Sequence, residues 1–136
     1  MKKVLLAFLL IFLFIVSTFS LAYAESGNSF VPMASNYKSA TVNLNIQNGT
    51  ATIRGNLTGI NGVTTKATVH LYLQQYSNDE WKDYADWLAS DTGVDCVVVK
   101  TISVPKGYKY RAKASCYAYN GAKSEHITKY SSQISY

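Results

Sequence analysis

The sequence predicts an all-β domain of about seven strands, an antiparallel two-sheet sandwich or a small barrel. Three observations carry this expectation. Apolar and polar residues alternate with a period of two over most of the chain after residue 40, as in strands that bury one face. Turn-forming sequences such as Asn48-Gly49, Gly59-Ile60-Asn61-Gly62, Pro105-Lys106-Gly107 and Asn120-Gly121 recur at short intervals. No segment is convincingly helical by its apolar spacing.

The alternation is preceded by a different kind of sequence. Met1-Lys2-Lys3 is positively charged, Val4 to Val16 is wholly apolar, and small residues close the stretch at Ala22-Tyr23-Ala24. A basic start, an apolar run of about 7–15 residues and small residues at a cleavage site make a secretory signal peptide, so residues 1–24 are expected to be removed on export. A membrane anchor needs roughly 20 apolar residues, and Ser17, Thr18 and Ser20 interrupt this run too early for one. The exported chain, expected to be extracellular and not membrane-embedded, would have 136 − 24 = 112 residues, one domain's worth. Loss of Lys2 and Lys3 lowers the formal charge from +5 to +3, which is no argument for nucleic acid as a partner.

Residues 25–38 are small and polar with little periodicity and are expected to form a flexible leader into a domain spanning 39–136. Val42, Leu44 and Ile46 alternate with Thr41, Asn43 and Asn45 in a first strand. Asn48-Gly49 tolerates positive φ at both turn positions, and the alternation resumes at Ala51, Ile53, Gly55 and Leu57, which makes a hairpin. Ala67, Val69, Leu71 and Leu73 define one face of a third strand. After the turn Ser77-Asn78-Asp79-Glu80, residues 81–88 carry Trp81, Tyr84, Trp87 and Leu88; the flanking pattern favours a strand, although 81/84/88 also suits a short helix. Cys96 to Val104 is rich in β-branched residues, residues 108–119 alternate, and Glu125 to Ser131 makes a seventh strand.

Cys96 and Cys116 are the only cysteines, and a pair in an exported chain is a candidate disulfide. Their midpoint, residue 106, falls in the turn Pro105-Lys106-Gly107, so two hairpin strands leaving that turn would bring them level. Such a bridge would stabilise by about 3 kcal/mol in the chain-entropy description. The alternative is a pair of buried free thiols. Lys100 breaks the apolar register of Cys96, Val98, Ile102 and Val104, which suggests a bulge near it.

The stretch VVVKTISV followed by PKGYKYRAKASCYAY resembles fibronectin type III and related immunoglobulin-like domains. The resemblance implies an immunoglobulin-like sandwich with a tyrosine corner, in which Tyr108 or Tyr110 hydrogen-bonds back to the chain. Two departures set antibody-type domains apart: Cys116 lies six residues after Tyr110 rather than two, and the strand over 66–76 holds no Trp. The segments LYLQQYSNDEWKDYADW and YRAKASCYAYNGAKSEHITKYSS are also similar to small secreted proteins of uncharacterised function from Gram-positive bacteria, which implies export but no activity.

Groups able to do chemistry are few. His70 and His126 each stand alone on a strand face expected to be exposed, and two histidines without a third ligand make no zinc site. Asp79, Glu80, Asp83, Asp86, Asp91 and Asp95 lie in turns and an edge hairpin, where a carboxylate pair for glycoside hydrolysis would find little cleft. No metal, cofactor or catalytic residue is therefore assigned, and an enzyme is not expected. The basic run Lys100, Lys106, Lys109, Arg111 and Lys113 follows the acidic one; it reads as solvated charge balancing its neighbour, or as a stripe facing an anionic polymer.

Tyrosine is the unusual residue: ten of eleven follow the signal peptide. Tyr72 and Tyr76 share one strand face, and Tyr117 and Tyr119 share another. In an immunoglobulin-like order these strands are neighbours, so the four rings, flanked by Arg111 and Lys113, would form one patch. Cross-strand covering of the sheet is the plainer role for the same rings. The sequence thus points to a secreted, non-catalytic binding or structural surface module for a cell-wall glycan or a protein, with an antimicrobial or toxin-like β-protein acting on bacterial envelopes as the rival.

Overall fold

The computed structural model describes residues 36–136, so the expected signal peptide and most of the expected leader lie outside the described residues. The domain is an antiparallel β-sandwich of seven main strands and one short one: β1 (Tyr37–Gln47), β2 (Thr50–Gly59), β3 (Lys66–Ser77), β4 (Glu80–Asp91), β5 (Asp95–Ser103), β6 (Lys109–Asn120), β7 (Lys123–Tyr130) and β8 (Ile134–Ser135). Sheet A runs β1-β2-β5. Sheet B runs β4-β3-β6-β7, with β8 pairing the start of β6. The third and sixth strands are neighbours, as the immunoglobulin-like order requires, and residues 81–88 are strand.

Local sequence sets the hairpins. Asn48 (φ 49°) and Gly49 (φ 80°) both occupy the left-handed region between β1 and β2, and Asn78 (φ 53°) and Asp79 (φ 60°) do so between β3 and β4. Two such residues give the turn whose twist matches that of the flanking strands. The inward rows then form one core from Ala51, Ile53 and Leu57 of β2, Val69, Leu71 and Leu73 of β3, and Tyr110, Ala112, Ala114, Cys116 and Ala118 of β6. Small residues on β6 leave room for larger ones opposite. Gly55 does the same on β2, because a Cβ there would stand 3.0 Å from Val69 and 3.1 Å from Leu71.

Pro105-Lys106-Gly107 is not a hairpin turn. It carries the chain from sheet A to sheet B, since β5 pairs β2 and β6 pairs β3. The end of the chain laces this crossover: the Gly107 and Tyr108 amides donate to the Tyr136 carbonyl, and the Tyr136 amide donates to the Tyr108 carbonyl. Tyr110 forms the tyrosine corner, donating its hydroxyl to the Pro105 carbonyl at 2.8 Å while accepting from the Gln75 side chain at 2.9 Å.

The crossover also corrects the cysteine geometry. Cys96 and Cys116 are not level partners across a hairpin but sit on opposite sheets, and in this structure both are buried free thiols rather than a disulfide. The Cys96 thiol meets the backbone of Val69, whose partner across β3 and β6 is Cys116. Burial is the main cause that pushes the Cys116 thiol up to about 11, with Cys96 adding to the rise.

Three further details differ from expectation. β5 pairs β2 without a register shift, so Lys100 stays in phase and exposed at an inward-parity position of an edge strand, a placement that discourages strand addition. The bulge lies in β4 instead, where Tyr84 is inserted between Asp83, opposite Gln74, and Ala85, opposite Leu73. Last, β1 begins at Tyr37, inside the expected leader, and Asn36 is tied down before it: its amide donates to Glu125 Oε2 at 2.9 Å, and its carbonyl accepts from the Thr64 hydroxyl.

Candidate functional site

The outward face of sheet B collects the residues singled out above. Alternation sends Lys66, Thr68, His70, Tyr72, Gln74 and Tyr76 of β3 outward. Register then sets them opposite Tyr119, Tyr117, Ser115, Lys113, Arg111 and Lys109 of β6. On the far side of β3, Asp86 lies opposite Tyr72, Asp83 opposite Gln74 and Trp81 opposite Tyr76. The bulge makes this possible. In an unbroken strand Asp83 and Asp86 would point to opposite faces, whereas the extra residue puts both carboxylates on the outward one. Tyr84 itself turns toward sheet A, where its hydroxyl donates to the Ser103 carbonyl at 3.3 Å and its ring meets Tyr110 edge-on.

The four tyrosines do share this face, but not as one cluster. Antiparallel pairing puts Tyr76 and Tyr119 near opposite ends of the strands. Tyr119 stacks with Tyr117 at 6.4 Å, and Tyr117 stacks with His126 at 4.4 Å. At the other end Tyr76 packs on Trp81 at 5.2 Å. The Arg111 guanidinium lies between two rings, 4.3 Å from Trp81 and 4.5 Å from Tyr130, and Lys113 Nζ is 4.7 Å from the centre of Tyr72. These are cation–π distances.

Two hydrogen-bonded chains cross the face between these groups. In one, the Gln74 amide donates to Asp83 Oδ1 at 2.7 Å, and Gln74 Oε1 accepts from Arg111 Nε at 2.8 Å. Gln74 is only 7% exposed despite its outward parity, so both of its polar ends are used rather than left to water. In the other, His70 Nε2 lies 2.7 Å from Asp86 Oδ2 and His70 Nδ1 lies 2.7 Å from the Tyr72 hydroxyl. One neutral tautomer satisfies both: Nε2–H donates to the carboxylate and Nδ1 accepts from the phenol. Burial, reinforced by Asp83, Asp86 and Tyr117, raises the Tyr72 pKa above the ordinary phenol value.

The histidines are therefore not alone. His126 Nε2 lies 2.7 Å from the Ser115 hydroxyl and 3.4 Å from that of Thr128. His70, Gln74, Trp81, Asp83, Asp86, His126 and Tyr130 belong to the network although sequence reasoning left them out of the patch. The outward row His70-Tyr72-Gln74-Tyr76 carried a usable signal, since every member is large and polar or aromatic. No period-two reading of β4 finds Asp83 and Asp86 together, because the bulge breaks the period between them. Leu88, 68% exposed beside His70, adds an apolar element to the same surface.

Fold and face together define an antiparallel β-sandwich with an aromatic, hydrogen-bonded outer surface on its larger sheet. No protein-family model matches the chain, and searches of curated proteins and of solved structures return no match. The resemblance to small secreted Gram-positive proteins thus rests on the quoted segments alone.

Proposed function

We propose that the protein is a secreted, non-catalytic binding module whose ligand-bearing surface is the outward face of sheet B. One observation carries the reading. Aromatic rings, guanidinium, amide, imidazole and carboxylate groups are held by one another over the length of an exposed sheet face. A surface ordered this way loses little side-chain freedom on binding, and rings with polar rims suit both sugar rings and protein partners. The Asp86–His70–Tyr72 chain supports binding rather than catalysis: the Asp86 side chain is 59% exposed and the His70 side chain 32%, so water competes at both. Export rests on the charged, apolar and small-residue segments of residues 1–24.

The test is retention on purified cell walls, the glycan arm of the reading, with immobilised extracellular protein extract as the other arm. The paired variant Tyr72→Ala/Tyr117→Ala, with its fold checked by circular dichroism, is expected to lose retention. A variant that is retained as well as the parent, or a parent held by neither material, overturns the reading. Export is checked separately by N-terminal sequencing of the protein in the medium, expected to begin at Glu25.

A further inference from the structure

Opposite charges on the face of sheet B are held apart. Asp83 and Asp86 stand on β4, Arg111 and Lys113 stand on β6, and β3 runs between them. Two strand spacings of about 4.8 Å separate the backbones of β4 and β6 by roughly 10 Å, and the Arg111 guanidinium comes within 4.3 Å of the ring of Trp81 on β4. Neither carboxylate forms an ion pair with either cation. Asp83 is held by the Gln74 amide and Asp86 by the His70 ring, both at 2.7 Å. Arg111 is held by Gln74 Oε1 and two aromatic rings, and Lys113 by the Tyr72 ring. If charge balance within the domain were the whole purpose, a direct Arg–carboxylate fork would be the stronger arrangement. Instead, amide, imidazole and aromatic groups fix these side chains in place with no carboxylate set against Arg111 or Lys113, which leaves a dipole across an exposed surface.

We infer that this dipole selects a zwitterionic ligand. An ammonium group meets Asp83 and Asp86, a carboxylate meets Arg111 and Lys113, and an uncharged ring or amide lies over Tyr72 between them. The guanidinium of Arg111 suits a carboxylate in particular, because its planar set of donors matches two oxygens. Within the wall-binding reading of this face, on which the inference rests, that chemistry is a glycan strand substituted with short peptides that carry free amino and carboxyl groups.

The experiment measures binding of the purified protein to three wall preparations: untreated, with amines acetylated, and with carboxyl groups amidated by ethanolamine. Each modification is expected to weaken binding about three- to tenfold, the effect of losing one or two solvent-exposed charge contacts. Asp83→Asn/Asp86→Asn is expected to bind untreated walls more weakly and to be indifferent to acetylation. Arg111→Gln/Lys113→Gln is expected to lose most of its sensitivity to amidation, and Lys113→Gln alone part of it. Thermal melting checks that each variant folds. Equal binding to all three preparations overturns the zwitterionic ligand and leaves the binding face standing, whereas no binding to any of them overturns the wall-binding reading itself. A second copy, turned about an axis along β3, also sets acidic against basic lines. A dimer in sedimentation that Asp86→Lys disrupts, with wall binding unchanged, would assign the face to self-association and overturn the inference.

Discussion

Sheet A and sheet B turn differently built surfaces to the outside. On sheet A, Thr41, Asn43 and Asn45 of β1 lie beside Asn56, Arg54 and Thr52 of β2, which lie in turn beside Val97, Val99 and Thr101 of β5. Among these side chains the hydrogen bond found is from Asn56 to Thr58, at 3.4 Å. On sheet B the corresponding positions carry rings, ions and amides that hold one another in place. Inside, the two sheets are alike: each contributes fully buried residues such as Ile53 and Leu57, or Leu71 and Leu73, to one core. The same alternation serves both, so the difference lies in what was placed on the outward beat. Sheet A's exterior asks only for solubility and strand propensity. Sheet B's exterior is organised beyond what the fold needs.

This comparison makes graded predictions. The largest effects belong to the shared interior and should not distinguish the sheets. Gly59→Ala drives a Cβ into the Val94 carbonyl and the Thr64 hydroxyl and is expected to cost about 3 kcal/mol in chemical denaturation, the upper range for overpacking. A cost near zero would show that the end of sheet A adjusts more freely than its packing implies.

Alkaline pH is a comparable lever. The Cys116 thiol is raised in the folded state, to about 11, so its contribution is whole below the ordinary thiol range and is lost as pH climbs through 11. Stability is therefore expected to fall between about pH 9 and 11 by roughly 2–3 kcal/mol. Cys116→Ala should show a shallower fall over that window, and an unchanged slope would remove the thiol as its cause. Tyr110→Phe leaves the Pro105 carbonyl and the Gln75 amide without their partner and is expected to cost about 1–3 kcal/mol in thermal or urea unfolding.

The smallest effects test the comparison most directly. Gln74→Ala breaks the Asp83–Gln74–Arg111 chain and is expected to cost about 1–2 kcal/mol, while Thr52→Ala on sheet A should stay within about 0.5 kcal/mol. Equal costs from parallel denaturation curves would erase the contrast between the two exteriors.

Much of this architecture was legible in short-range pattern. The Asn48-Gly49 hairpin follows from local φ preferences, and the period of two marks β1, β2, β3 and β6 with little ambiguity. The tyrosine corner is narrowed to Tyr108 or Tyr110 by sequence, and the hydroxyl that reaches the Pro105 carbonyl is that of Tyr110. What escaped was set by partners far away in sequence. Whether Pro105-Lys106-Gly107 folds back or crosses over depends on which sheet receives β6, and nothing within those three residues decides it. The placement of Cys96 and Cys116 on opposite sheets follows from the same crossover. The histidines looked solitary because Asp86 and Ser115 reach them from other strands, and register is a property of the sheet rather than of any one segment.

Residues 81–88 looked ambiguous between helix and strand for a single reason: one residue too many for the alternation to continue. Tyr84 acts on β4 as an insertion acts on a reading frame. On its C-terminal side, odd-numbered residues such as Trp87 and Ala89 face the core; on its N-terminal side, Trp81 and Asp83, also odd, face out. Deleting that one residue would set Asp83 directly beside Ala85 and restore a strict alternation, with Trp81 and Asp83 still facing out and Lys82 still opposite Gln75. A single-codon deletion at this position is therefore silent for both rows and removes only the contacts of Tyr84 with Ser103 and Tyr110, so a strand can gain or lose one residue without rewriting either of its faces.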